Sequence, residues 1–119
     1  VSQFIPDIRQ GDTYRLRVEY PYGTDIRGYK FWLTLKRQFK DSDAHAVLQV
    51  SQVASGEEAQ IGHHYLEVSS AETTAVLPGS YFWDVQVMTA SGDVKTLLPP
   101  EEYFDDQVRV IPQVTQANS

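Results

Sequence analysis

Along Thr13–Glu19 apolar and polar residues alternate strictly, with Tyr14, Leu16 and Val18 on one side of an extended backbone and Arg15, Arg17 and Glu19 on the other. That period of two predicts a half-buried strand. The same pattern returns in Tyr29–Gln38, where Tyr29, Phe31, Leu33 and Leu35 face inward and Lys30, Thr34 and Lys36 face outward. Trp32 is the exception on the outer face. Gln10-Gly11-Asp12 and Pro21–Asp25 supply the chain breaks around the first of these strands. Ahead of them, Phe4, Ile5 and Ile8 predict a short first strand at a sheet edge, interrupted by Pro6.

Ala46–Val53 reads as a further strand, with Leu48 and Val50 on one side and Val47 and Val53 on the other; its weaker alternation suits an edge. Ser55–Glu58 turns the chain, and His64–Ser69 returns with His64, Leu66 and Val68 on one face, which predicts antiparallel pairing with the strand before it. Ser70–Leu77 has room for one helical turn capped by Ser70. Pro78-Gly79 stops it. The strongest strand signal follows in Ser80–Thr89, where Tyr81, Trp83, Val85 and Val87 share a face. Ala90–Asp93 turns it into Val94–Leu98 as a hairpin, Pro99-Pro100 ends that strand, Glu101–Asp106 forms an acidic aromatic loop or short strand, and Gln107–Ile111 closes the fold.

Turn signals recur every ~8–12 residues with no long helical pattern between them, which excludes a parallel βαβ architecture and predicts an all-β sandwich or barrel. Leu77-Pro78-Gly79-Ser80-Tyr81 favours the sandwich. An apolar residue, a tight turn and a tyrosine entering a strand match the tyrosine corner of immunoglobulin-like domains, in which the phenol bonds nearby backbone. The fold expected is an antiparallel two-sheet, immunoglobulin-like β-sandwich of about seven to eight strands.

The 119 residues suit one domain spanning 1–119, with 113–119 as a mobile or partner-ordered tail. Apolar residues at 41% are enough to fill one core between two sheets, which argues against disorder. There is no cysteine, so neither a disulfide nor a thiolate metal site is available, and stability rests on packing and strand pairing. No segment reads as a membrane span or signal peptide, and a start at Val1 implies removal of an initiator or trimming.

The net charge of −6 is unevenly placed. Residues 1–60 carry eight Lys/Arg and eight Asp/Glu, residues 61–119 two and eight. An acidic chain without a basic stripe is a poor partner for nucleic acid. Lys30, Lys36, Arg37 and Lys40 form the one basic concentration, and Lys30 and Lys36 stand where a solvated strand face carries charge.

Catalytic chemistry finds no foothold in the sequence. His45, His63 and His64 have no motif around them, and adjacent His63 and His64 on a strand point to opposite faces, the wrong geometry for one metal. Glu57-Glu58, Glu101-Glu102 and Asp105-Asp106 are sequence neighbours, whereas paired acid catalysis needs two carboxyls facing across a cleft. The glycines are scattered through turns and build no phosphate loop. The reading is of a protein that is not an enzyme and takes no cofactor or metal.

Arg9–Thr13 leading into a strand, Gly79–Val87, Ser91–Leu98 and Val108–Thr115, taken in order, resemble the small immunoglobulin-like structural proteins of tailed bacteriophages, a family that includes the N-terminal domain of baseplate upper proteins. That family tends to show an RxGDT opening, a GxYxxDV strand, a DGxVxTLL hairpin and a closing V…VT strand. This chain departs in its Ser91-Gly92-Asp93 turn and in Pro99-Pro100. The resemblance implies a virion component, assembled in the host cytoplasm into the tail tip, baseplate or fibre-attachment region, whose partners are copies of itself and other tail proteins. Aromatics outside the predicted core, Tyr22, Trp32, Phe39, Tyr103 and Phe104, are the candidate contacts. Against that, Tyr22 and Phe104 could cap the sandwich ends and Trp32 could lie beneath a crossing loop. Two further readings are a carbohydrate- or ligand-binding module with Trp32 and Trp83 as a stacking platform, and a capsid decoration protein. Burial of Trp83 by its alternation argues against the platform.

Overall fold

Alternation decides which side chains go inside, and in the computed structural model, which describes residues 2–21, 23–38 and 45–113, it does so strand by strand. Eight strands are present among these residues: β1 (Ile8–Arg9), β2 (Tyr14–Glu19), β3 (Lys30–Lys36), β4 (Leu48–Val53), β5 (His63–Val68), β6 (Gly79–Met88), β7 (Val94–Leu98) and β8 (Gln107–Ile111). Two short helices, α1 (Gly56–Gln60) and α2 (Ser70–Thr74), flank β5, and a 3-10 turn spans Glu101–Tyr103. The chain is all-β in two sheets, the larger curled as a half-barrel.

In the larger sheet the order is β1-β8-β6-β3-β4, with β7 also on β6; the smaller sheet is β2-β5. β6 organises the larger one. Its side toward β3 pairs along Phe82–Met88, while its other side is shared, Gly79–Phe82 with β8 and Val85–Met88 with β7. Its inward row Tyr81, Trp83, Val85 and Val87 is 0–4% exposed and meets Phe31, Leu33 and Leu35 of β3, each 0% exposed. Leu16, Val18, Leu66 and Val68 of the smaller sheet join the same core cluster. Truncating one of these to Ala removes transfer energy and leaves a cavity, at about 2–5 kcal/mol.

The phenol of Tyr81 donates to the carbonyl of Leu77 at 2.5 Å, the contact expected at the entrance to this strand. The β6–β7 hairpin also forms as its sequence predicts: Thr89 N–H donates to Asp93 O at 2.9 Å around Gly92, whose φ of 94° a side chain rarely tolerates.

Three expectations are corrected. β5 does not return against β4: α1 intervenes, and β5 pairs antiparallel with β2 in the other sheet, Tyr14 opposite Val68 and Glu19 opposite His63. Gly62 ends the α1 turn at φ 91°, where a Cβ would lie 2.9 Å from the Tyr20 carbonyl. The cap of α2 is Ser69, not Ser70. Ser69 Oγ accepts from Glu72 N–H at 3.1 Å and Glu72 Oε1 accepts from Ser69 N–H at 2.9 Å, a reciprocal capping box. The first strand shrinks to Ile8–Arg9 and runs parallel to β8; Ile5 and Ile8 are nonetheless buried, at 4% and 1%. The segment is pinned by Tyr14, whose hydroxyl donates to Pro6 O at 2.8 Å. Burial, with the Asp7 carboxylate adding to it, pushes that phenol's pKa upward.

Candidate functional site

The outer face of the larger sheet is where the fold leaves space. Register places Thr34 opposite Asp84 and Lys36 opposite Phe82, so the outward rows of β3 and β6 lie side by side. Thr34 is only 5% exposed although it faces outward, and its hydroxyl accepts from Gln49 Nε2 at 3.1 Å.

Proline chemistry raises the wall of this space. Pro99 and Pro100 have no N–H to give to the ladder on β6, so β7 stops at Leu98 and the chain leaves the sheet. It makes a 3-10 turn, with Tyr103 N–H donating to Pro100 O at 2.8 Å and Asp106 N–H to Tyr103 O at 2.9 Å, and comes back as β8 on the same side of β6. The detour overhangs the sheet. Between it and the outward rows is a groove of about 460 Å³, lined by Thr34, Lys36, Phe82, Asp84, Thr96 and Phe104, with Trp83, Pro99 and Glu101 completing it.

Asp106 holds the detour down. Its Oδ2 accepts from Trp83 Nε1 at 2.8 Å and from Ser2 Oγ at 2.6 Å, so one carboxylate satisfies the buried indole and fastens the N-terminal segment. Phe4 packs edge-on against Tyr103, ring centres 5.1 Å apart. Phe104, by contrast, is 57% exposed and Tyr103 42%.

Among the described residues Lys36 is the one base in the lining, against Asp84 and Glu101, and the exposed Glu102 and Asp105 stand close by on the detour. No histidine among the described residues lines the groove beside Thr34 or Thr96. What the arrangement offers is aromatic contact, hydroxyl hydrogen bonding and a surplus of negative charge. Among the described residues no three His, Asp or Glu side chains are grouped to hold a metal ion.

Of the residues singled out in the sequence, Tyr103 and Phe104 stand together on the detour, exposed. Trp32 is on the outward row of β3, two residues from Thr34, partly covered by Lys30, whose Nζ sits 5.0 Å from the ring centre. Trp83 is 4% exposed, so it makes no platform with Trp32. Tyr22 and Phe39 lie outside the described residues, as do Lys40 and the tail from 114 onward. Phe82, Asp84, Thr96 and Pro99 were missed as site residues. The signal was there for Phe82, an aromatic on the outward register of β6, but the overhang that makes it a wall depends on the path after Pro99.

The histidines separate as their spacing requires. His63 is on the outer side of the smaller sheet, its Nδ1 3.1 Å from Arg17 Nη2, while His64 stacks on Phe31, ring centres 4.9 Å apart, with no partner for Nε2 among the described residues. Desolvation at that position pulls the His64 pKa down.

No family model, no curated protein and no solved structure matches this chain.

Proposed function

We propose that this chain is a non-enzymatic structural protein of a tailed-phage virion, built as a two-sheet immunoglobulin-like sandwich and working in the tail tip, baseplate or fibre-attachment region by binding copies of itself and neighbouring tail proteins. The observation that carries the fold part is the Tyr81–Leu77 hydrogen bond at the head of β6, the strand that pairs with β3, β7 and β8. Further support comes from β1 running parallel to β8 at one margin of the larger sheet while both sheets supply one core. The assignment to a virion rests on the resemblance across Arg9–Thr13, Gly79–Val87, Ser91–Leu98 and Val108–Thr115. An architectural role agrees with exposed Tyr103 and Phe104 on a pinned detour, since anchored aromatics lose little entropy on docking.

The test is co-expression with the products of the flanking reading frames, followed by affinity purification and mass spectrometry of purified particles. A stoichiometric complex with tail proteins, and the chain among the particle's proteins, is expected. Recovery of the chain alone, absent from particles, overturns the reading.

The groove supports a second reading, a ligand-binding β module, because Phe82 and Phe104 line a concave space of about 460 Å³. A glycan array separates the two: saturable binding lost in Phe104→Ala, without tail-protein partners, would replace the structural reading by this one.

A further inference from the structure

Sheet edges end in unpaired backbone groups, and folded proteins blunt them with charge, proline, bulges or covering segments. Most edges of this fold are blunted. β2 carries Arg15, Arg17 and Glu19, engaged in ion pairs at 3.1–3.2 Å. β7 carries Lys95 and has a register shift in its pairing with β6. β1 is two residues long and follows Pro6 closely. On β5, the N–H and C=O of Glu67 are both taken by the side chain of Gln52.

β4 is the exception. Leu48-Gln-Val-Ser-Gln-Val53 is the one strand of the eight described that contains no Asp, Glu, Lys or Arg, and the run 46–55 around it contains none either, in a chain that is 22% charged. Among the described residues it pairs on one side only, with β3. Ala54 N–H donates to Tyr29 O at 2.9 Å, which sets the alternation: Leu48, Val50 and Gln52 exchange bonds with β3, and the backbone groups of Gln49, Ser51 and Val53 point away. None of those outward groups has a partner among the described residues. Gln49 and Ser51 are exposed, and Val53 is 56% exposed.

We infer that the outer edge of β4 is a pairing surface for β4 of a second copy, antiparallel about a twofold axis at Ser51, so that the two larger sheets become one. A twofold makes an antiparallel edge self-complementary, because each copy donates where the other accepts. The register follows from the outward set. Ser51 opposite its own counterpart, with Gln49 opposite Val53, gives every outward N–H and C=O a partner, and a shift of one pair toward the start of β4 would call on Val47, whose N–H already donates to Leu35 O at 2.9 Å. Charge agrees: a chain of net −6 repels its copy, and the uncharged edge is where that repulsion is weakest. This deepens the assembly reading and rests on it for the presence of copies side by side.

The experiment is sedimentation equilibrium of the full chain from micromolar to millimolar, with Ser51→Lys and Ser51→Cys. The wild type should move with concentration from 13.5 kDa toward twice that mass. Ser51→Lys puts like charges opposite one another on the axis and should weaken association about tenfold or more, with unchanged circular dichroism and, at the micromolar end where both are monomers, an unchanged melting temperature. Facing Cα atoms in a bonded antiparallel pair are about 5.5 Å apart, within disulfide range. Ser51→Cys, the only thiol in the chain, should therefore cross-link under mild oxidation, while Ser91→Cys in the β6–β7 turn should not. A monomer throughout, or a dimer indifferent to Ser51→Lys, overturns the edge assignment. Neither result touches the co-purification test for tail-protein partners, so failure here and failure of the assembly reading are distinguishable.

Discussion

Gln52 Nε2 donates to the carbonyl of Glu67 at 2.9 Å and Gln52 Oε1 accepts from the Glu67 N–H at 3.1 Å. A side-chain amide thus stands in for a strand backbone, joining β4 of the larger sheet to β5 of the smaller one where no ladder connects them. Glu67 is of the parity whose backbone groups point away from β2, because Tyr20 N–H donates to Gly62 O in the same register. Gln52→Ala should release both groups to solvent and lower stability by about 1–2 kcal/mol, seen as a reduced urea midpoint at constant m-value. Amide hydrogen exchange at Glu67 should accelerate in the same variant, and an unchanged rate would mean the link is not populated.

Removing the hydroxyl of Tyr81 tests the corner. Tyr81→Phe keeps the ring in the core and leaves the Leu77 carbonyl without that donor, so a loss of about 1–2 kcal/mol is expected in chemical denaturation. A variant as stable as the wild type would show that the Pro78-Gly79 turn alone sets the entrance to β6.

Asp106 serves the Trp83 indole and Ser2 together, and Asp106→Ala leaves a buried N–H donor without a partner. About 1–3 kcal/mol should be lost, with a change in near-ultraviolet circular dichroism from the Trp83 environment. Ser2→Ala leaves the indole its acceptor but frees the Phe4 and Ile5 N–H groups, from which the Ser2 hydroxyl accepts at 3.0 and 3.1 Å, so it should lower stability without the near-ultraviolet change.

His64 gives the fold a pH dependence of definite sign. Desolvation holds its folded pKa below the ordinary value of 6.5, so as pH falls past that value the unfolded chain takes up the proton first. The contribution is complete above the unfolded pKa and is lost as pH drops toward the folded one. His64→Phe should flatten the melting temperature between pH 7 and 5 relative to wild type, and an unchanged pH profile in that variant would remove His64 as its source.

Phe104→Ala should leave stability within about 0.5 kcal/mol because the ring is 57% exposed, yet weaken capture of any partner that docks on the detour. Trp83→Ala, by comparison, should cost about 3–5 kcal/mol, since that ring is 4% exposed. Equal melting temperatures for the two variants would contradict the assignment of one ring to the surface and the other to the core.

Alternation read in the sequence was enough to assign the inward rows of β2, β3 and β6, because a side chain's face depends only on the parity of its own strand. The β6–β7 hairpin and the Tyr81 corner were legible for a similar reason: a few consecutive residues carry the whole geometry. Strand partners were not. His64, Leu66 and Val68 face the core whichever neighbour β5 takes, so parity said nothing against pairing with β4, and only α1 and the reach to β2 decided otherwise. The groove stayed hidden because it joins Thr34 and Lys36 to Thr96, Glu101 and Phe104 through a detour whose height depends on where β8 rejoins β6. To the all-β chain read from the sequence the tertiary structure adds two features: a wall beside Phe82 and an uncharged edge at Ser51. Side-chain facing is a local property of the chain; which edges stay open and which loops overhang is settled by packing between residues far apart in sequence.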